Sequence, residues 1–278
     1  MKRYLIGLLA VIMLTTARTA AYCEKPTQEP TPEEIAQLQI IAEQGNAQAQ
    51  DLLGTAYRAG FGVKQNDIEA VRWYRLASAQ GNVDAQLYLG LAYNLGRGVI
   101  QNDIEAVKWY RLAAAQGNAD AQYFLGLAYS EGIGMVKQNL AEAVRWYRLA
   151  ATQGNAGAQF HLGFSYFNGF GVKQDYVEAI KWYRLSADHG SADGQCRLGL
   201  AYTLGKGVRQ DYIEAIKWYR LAAAQGNSEA QYCIGMAYEL GYGVKQNKRE
   251  SKEWYGKACD NGFQKGCDAY RSLNEAGY

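Results

Sequence analysis

The side chains able to do chemistry in this 278-residue chain are few, and most of them recur in phase. The histidines are His161 and His189, and the cysteines are Cys23, Cys196, Cys233, Cys259 and Cys267. Neither histidine stands in a Ser-His-Asp, Cys-His or metal-ligand spacing, so no nucleophile with its base is expected, and no metal. His161, Cys196 and Cys233 are the one set whose residue types would suit zinc. His161 occupies a place filled elsewhere by Tyr88, Phe124, Arg197 and Cys233, which reads as a tolerated side chain rather than a base. Six carboxylates share one phase: Glu69, Glu105, Glu142, Glu178, Glu214 and Glu250. Each follows an Asn or Asp by three residues, the pattern of a helix cap with a glutamate reaching back to it. Gly-x-Gly-Val, as in Gly60 to Val63, could pass for part of a phosphate-binding loop. It has no third glycine, follows no predicted strand and occurs six times, so it reads as a turn that needs positive φ. No cofactor is expected.

The elements that carry these residues follow from a repeat. All six tryptophans, Trp73, Trp109, Trp146, Trp182, Trp218 and Trp254, lie 36 or 37 residues apart. The one long step comes from an extra residue in the third loop, at Gly134-Met135-Val136. A fixed period of this length predicts a solenoid, in which each unit stacks on its neighbours. Six units span 45–80, 81–116, 117–153, 154–189, 190–225 and 226–261. Each predicts two amphipathic helices, A and B, as over Ala119 to Ser130 and Leu140 to Ala151. Ala121, Leu125 and Ala128 give helix A one apolar face. Gly126, with its equivalents 54, 90, 163, 199 and 235, lies inside helix A at a cost of roughly 1 kcal/mol, which implies close backbone approach between helices. The tryptophans supply the core. Residues 33–44 read as an N-terminal capping helix and 262–278 as a C-terminal one.

Before the repeats, residues 1–21 read as a signal peptide: Lys2 and Arg3, then an apolar run from Tyr4 to Leu14, then Thr19-Ala20-Ala21. Residues 22–32 form a linker holding Pro26, Pro30 and Pro32. The chain is therefore expected to be exported, to the periplasm or beyond. Lipid anchoring at Cys23 is a lesser option, because Tyr22 stands where a small residue is needed. No later run is long enough for a membrane span. The formal charge of +2 becomes −1 without residues 1–21, which is no footprint for nucleic acid.

Positions that vary between repeats are free to recognise a partner. On helix A these give a face of Arg58, Asn94, Tyr123, Phe160, Phe164, Phe167, Thr203, Tyr232 and Glu239. Aromatic residues dominate its middle, and exposed aromatics are common interface anchors. Phe164 could instead fill space left by Ser165. Cys196 and Cys233 lie on helix A of successive repeats, one position out of phase; they either pair or remain buried apolar side chains.

The recurring Ala-x-x-x-Leu-Gly-x-x-Tyr, Gly-x-Gly-Val, Glu-Ala-x-x-Trp-Tyr and Ala-x-x-Gly-Asn resemble the Sel1-like repeats, relatives of tetratricopeptide repeats, over roughly 33–278. The resemblance implies an all-α, right-handed superhelical solenoid of αα-hairpins, with helix A lining a concave groove. It implies a monomeric, non-enzymatic scaffold that binds a protein or extended peptide, such as a host protein. It also implies two alternatives: a periplasmic immunity protein neutralising a phospholipase-type toxin effector, and a weak β-lactam-binding or hydrolysing protein of a cysteine-rich branch. Cys259 and Cys267, with seven residues between them, resemble the disulfide that clips adjacent helices in that branch.

Overall fold

The computed structural model describes residues 30–278. The expected signal peptide, most of the expected linker and Cys23 lie outside these residues. Fourteen helices and no strand occur among the described residues. Helix α1 (Pro32–Glu43) precedes six A/B pairs: α2 (Ala47–Ala59) with α3 (Asp67–Ala79), α4 (Val83–Leu95) with α5 (Asp103–Ala115), and α6 (Ala119–Glu131) with α7 (Leu140–Thr152). Then come α8 (Ala156–Asn168) with α9 (Tyr176–Asp188), α10 (Ala192–Leu204) with α11 (Tyr212–Ala224), and α12 (Ser228–Leu240) with α13 (Lys248–Asp260). Helix α14 (Gln264–Glu275) ends the chain.

Two units divide these helices. The first is Met1–Ala121 with Ile133–Val136, and the second is Gln122–Gly132 with Lys137–Tyr278. In the first, α1 to α5 each pack on the next; in the second, α7 to α14 do. The fold class is an all-α solenoid of αα-hairpins.

Local sequence sets the helix ends. Gly60, Gly96, Gly169, Gly205 and Gly241 end their A helices in the left-handed region, where lack of a Cβ removes the penalty. The inserted Met135 takes φ 64° and is the non-glycine residue with positive φ among the described ones. Asn66, Asn102, Asn139, Asp175, Asp211 and Asn247 cap the B helices, accepting from the glutamate amide three residues on. The glutamates do not reach back as the sequence suggested. The amide of each cap residue already donates to a tyrosine carbonyl in the last turn of helix A, as from Asp211 to Tyr202 at 3.0 Å. Glu69, Glu105, Glu142, Glu178 and Glu214 pair instead with a cation three residues on. Among the described residues the reciprocal box closes at α1, between Thr31 and Glu34.

The core corrects the role given to tryptophan. Trp73 alone is buried; the other five are partly exposed. The large side chain buried in every repeat is the next residue: Tyr74, Tyr110, Tyr147, Tyr183, Tyr219 and Tyr255, each at 4% exposure or less. Adjacent residues on a helix point about 100° apart, and here it is the tyrosine that faces helix A. Its ring lies on the helix A glycine. A Cβ at Gly199 would stand 2.8 Å from the Tyr219 ring and 3.1 Å from the Ala215 carbonyl. What approaches these glycines most closely is therefore a ring, with backbone behind it.

A polar ladder links successive hairpins. Gln80 donates to Gln50 at 2.8 Å, Gln116 to Gln86, Gln153 to Gln122 and Gln225 to Gln195. The acceptor glutamines are buried, and Gln50, Gln159, Gln195 and Gln231 also donate to a carbonyl eight residues earlier. At the end of the array Cys259 and Cys267 are bonded, tying α13 to α14.

Two stability measurements test this account. Gly199→Ala gains about 1 kcal/mol of helix propensity but overpacks Tyr219 at a cost of about 1–3 kcal/mol. Denaturant unfolding is expected to show net destabilisation. Gly256→Ala gains the same propensity, and its new Cβ would meet only the Tyr270 ring at 3.4 Å, so it is expected to hold or raise stability. Separately, reducing the Cys259–Cys267 bond should lower the unfolding free energy of the C-terminal helices by about 2–3 kcal/mol. An unchanged midpoint in reductant would count against a structural role for the bond.

Candidate functional site

The variable face of helix A is built over the row of buried tyrosines. In most repeats a polar side chain of helix A satisfies the tyrosine hydroxyl. Tyr74 meets Thr55 at 3.2 Å, Tyr147 donates to Ser130 at 3.1 Å, Tyr219 meets Thr203 at 3.1 Å, and Tyr255 donates to Glu239 at 2.6 Å. Thr203 and Glu239 therefore lie half-buried and already engaged.

Repeat four departs from this pattern. Phe164 replaces the residue equivalent to Thr55, and Phe167 replaces the one equivalent to Ser130, Thr203 and Glu239. Neither can accept a hydrogen bond, and the buried Tyr183 hydroxyl has no partner. Leaving such a group unpaired costs about 1–3 kcal/mol. Burial pushes the Tyr183 hydroxyl pKa well above its usual range, although the nearby Arg197 opposes the shift. Arg197 is itself held by Glu229 through two bonds of 2.9 and 2.7 Å.

The rings around Tyr183 form one connected set. Phe160 and Phe167 lie 6.2 and 6.1 Å from it between centroids. Phe160 stacks on Phe164 at 6.2 Å, Phe164 meets Phe170 at 5.8 Å, and Phe167 meets Tyr176 edge-on at 5.0 Å. Lys206 stands over the Phe167 and Tyr176 rings. The three phenylalanines are half-buried, packed on the core of Tyr183, Ile180 and Leu198, rather than fully exposed as the sequence implied. Half-burial against the core fixes the cluster and leaves part of each ring in solvent.

Tyr123 joins the set through His161, 5.7 Å away, which also stacks on Tyr147 at 5.2 Å and touches Phe160 at 5.1 Å. Burial lowers the His161 pKa from the ordinary imidazole value, so the ring is an uncharged packing element at neutral pH. His189 replaces a ladder glutamine, with Nδ1 2.8 Å from Gln159 Oε1. Tyr232 stacks near Tyr255 and Phe263 at 5.3 and 5.2 Å. In the first unit, Arg58 covers the Tyr88 ring at 4.9 Å and Asn94 donates to Asp103 at 3.1 Å. Both are half-buried.

Cys196 and Cys233 are free thiols, so the pairing weighed for them is absent. Burial pushes the Cys196 thiol far up and the Cys233 thiol up to about 11, which keeps both protonated. No group of three His, Cys, Asp or Glu close enough for a metal occurs among the described residues, so His161, Cys196 and Cys233 do not assemble as a zinc site. The arrangement offers a rigid aromatic surface with one buried donor. Tyr183, Tyr176, Phe170 and Lys206 were missed by sequence reasoning. The signal in the sequence is the Trp-Tyr pair, in which the tyrosine keeps a fixed phase against the varying helix A position.

The comparisons with known proteins agree with this architecture. The Sel1 repeat family model matches residues 47–82, 83–118, 119–155, 156–191, 192–227 and 228–263. A Sel1 repeat protein from Oxalobacter formigenes is 35% identical with TM-score 0.77, covering 91% of this chain and 96% of that one. A protective antigen present in uropathogenic Escherichia coli strains, displaying an SLR fold, is also 35% identical with TM-score 0.76, covering 87% of this chain. This chain spans 56% of that antigen's length. A comparison with the curated proteins finds no match. Six matched repeats, on the hairpins described above, show that the chain belongs to the Sel1 repeat family.

Proposed function

We propose that this chain is an exported interaction scaffold that holds an extended segment of a partner protein against the helix A face of repeat four. One observation carries the reading. Repeat four gives up the hydrogen bond that its neighbours make to the buried tyrosine and presents Phe160, Phe164 and Phe167 instead. A local departure from a repeated, stabilising rule is the mark of a site kept for function. Half-buried, preorganised aromatics lose little freedom on binding, which suits them as anchors.

Export is supported by the Cys259–Cys267 bond, since such bonds persist in oxidising compartments. No helix among the described residues is long and apolar enough to cross a membrane. The scaffold acts by presenting a preformed surface, and its partner's class is to be read from what it captures.

Affinity capture from the native envelope and culture fluid tests the site. The Phe160→Ala, Phe167→Ala double variant should fold, by circular dichroism, and lose a partner that the unaltered chain retains. A partner kept by both would move the site off this face. Phe167→Thr restores the arrangement of Thr203 and Tyr219. It should raise stability by about 1 kcal/mol through the regained hydrogen bond and at the same time weaken capture. A loss of stability would mean that the phenylalanine serves packing rather than recognition.

A further inference from the structure

A second surface runs beside the aromatic face, along the loops that join helix A to helix B. The residue after the turn valine is Lys64, Ile100, Lys137, Lys173, Arg209 or Lys245 in successive repeats, a cation in all but one. In the second unit, Lys137, Lys173, Arg209 and Lys245 are all exposed. None has a hydrogen bond or ion pair among the described residues, unlike the cations one helical turn into the B helices. Arg145, Lys181 and Lys217 are neutralised by Glu142, Glu178 and Glu214. Of the acids of this edge, those three glutamates are in ion pairs, while Asp175 and Asp211 cap helices and keep their charge without pairing with a cation among the described residues. Glu250 has no ion pair among the described residues, and its amide donates to Asn247. The B helices also direct their positive N-terminal ends to this edge.

The loops form one continuous row within the unit. Gly171 packs against the Leu140 carbonyl, Gly207 against that of Tyr176, and Gly243 against that of Tyr212, where a Cβ would stand 2.5 Å away. The Tyr212 and Tyr242 rings stack across neighbouring loops at 4.6 Å. Beside the cations stand aliphatic side chains in water: Val177 is 58% exposed and Ile213 63%. Arg209 and Ile213 both line an open cleft of about 820 Å³ with Tyr212.

We propose that this edge docks on an anionic lipid bilayer, with Lys137, Lys173, Arg209 and Lys245 at the phosphates and Val177 and Ile213 among the upper acyl chains. Exposed cations in register, free of ion pairs, call for an anionic surface. The exposed aliphatic residues favour a bilayer over a soluble polyanion or an acidic protein segment, because only the bilayer gives them an apolar phase in which to lose their hydration. This edge adjoins the aromatic face at Phe170, Tyr176 and Lys206, but the vesicle test needs no partner held there, so the proposal does not depend on that reading.

Co-sedimentation of the full chain with phosphatidylcholine vesicles, with and without phosphatidylglycerol, tests it. Two variants are compared with the unaltered chain: Lys173→Glu, Arg209→Glu, Lys245→Glu, and Val177→Ser, Ile213→Ser. Residues 1–29 are common to all three, so differences among them belong to the edge. Each cation is worth roughly five-fold in partitioning, so charge reversal should weaken binding to anionic vesicles by roughly a hundredfold or more. The serine variant should lose roughly ten-fold. Hydrogen exchange on the unaltered chain with anionic vesicles should show protection of residues 169–177 and 205–213. No preference for phosphatidylglycerol, or protection elsewhere, would overturn the proposal. So would a serine variant that binds as well as the parent, which would assign the cations to a soluble polyanion or an acidic protein.

Discussion

The packing of one tyrosine ring on one glycine, repeated in every hairpin, is the contact on which this structure depends. The ring of Tyr219 lies where a Cβ at Gly199 would be, and the same is true from Gly54 with Tyr74 to Gly235 with Tyr255. A glycine in a helix interior costs stability locally. Burying a phenol ring in the space it leaves returns more, because the ring removes a large apolar area from water. The contact also fixes where the hydroxyl points, and so which helix A residue must answer it.

Hairpins built this way still have to be held in register with their neighbours. Buried glutamines do this with directional bonds. Gln195 reaches back to the Ala187 carbonyl and accepts from Gln225 on the following helix B, so one side chain spans three helices. Arginines of helix B add a second tie, as from Arg184 to the Tyr202 hydroxyl at 2.8 Å. Buried polar groups with every valence met specify a geometry, while apolar contact alone would allow sliding. The loops complete the register, since Gly243 leaves no room for a side chain against the Tyr212 carbonyl.

Against this repeated background the departure at repeat four carries information. Tyr183 is buried as deeply as its equivalents, yet Phe167 cannot accept its proton. The same repeat brings Phe160, Phe164 and Phe167 of α8 and Tyr176 of α9 into a set of neighbouring rings. Local stability and surface character are thus opposed at one position, and repeat four resolves the opposition toward surface. The neighbouring repeats, with Ser130 and Thr203 in that place, resolve it the other way.

The sequence by itself determined the period, the two helices of each unit, their glycine stops and their Asn or Asp caps. These are local matters, settled by positive φ, by short-range hydrogen bonds and by apolar spacing along one helix. It also pointed to Phe160, Phe164 and Phe167, because positions that vary within a repeat stand out without any structure. Tertiary structure decided which aromatic enters the core. Trp182 and Tyr183 are both large and apolar, and only the phase of helix B against helix A places the tyrosine at 1% exposure and leaves the tryptophan half-covered. It decided that Glu178 pairs with Lys181 and does not close a box, because the Asp175 amide is taken by the Tyr166 carbonyl. It decided, too, that Tyr183 lacks a partner. That depends on two helices meeting across a turn, and spacing along one chain does not contain it.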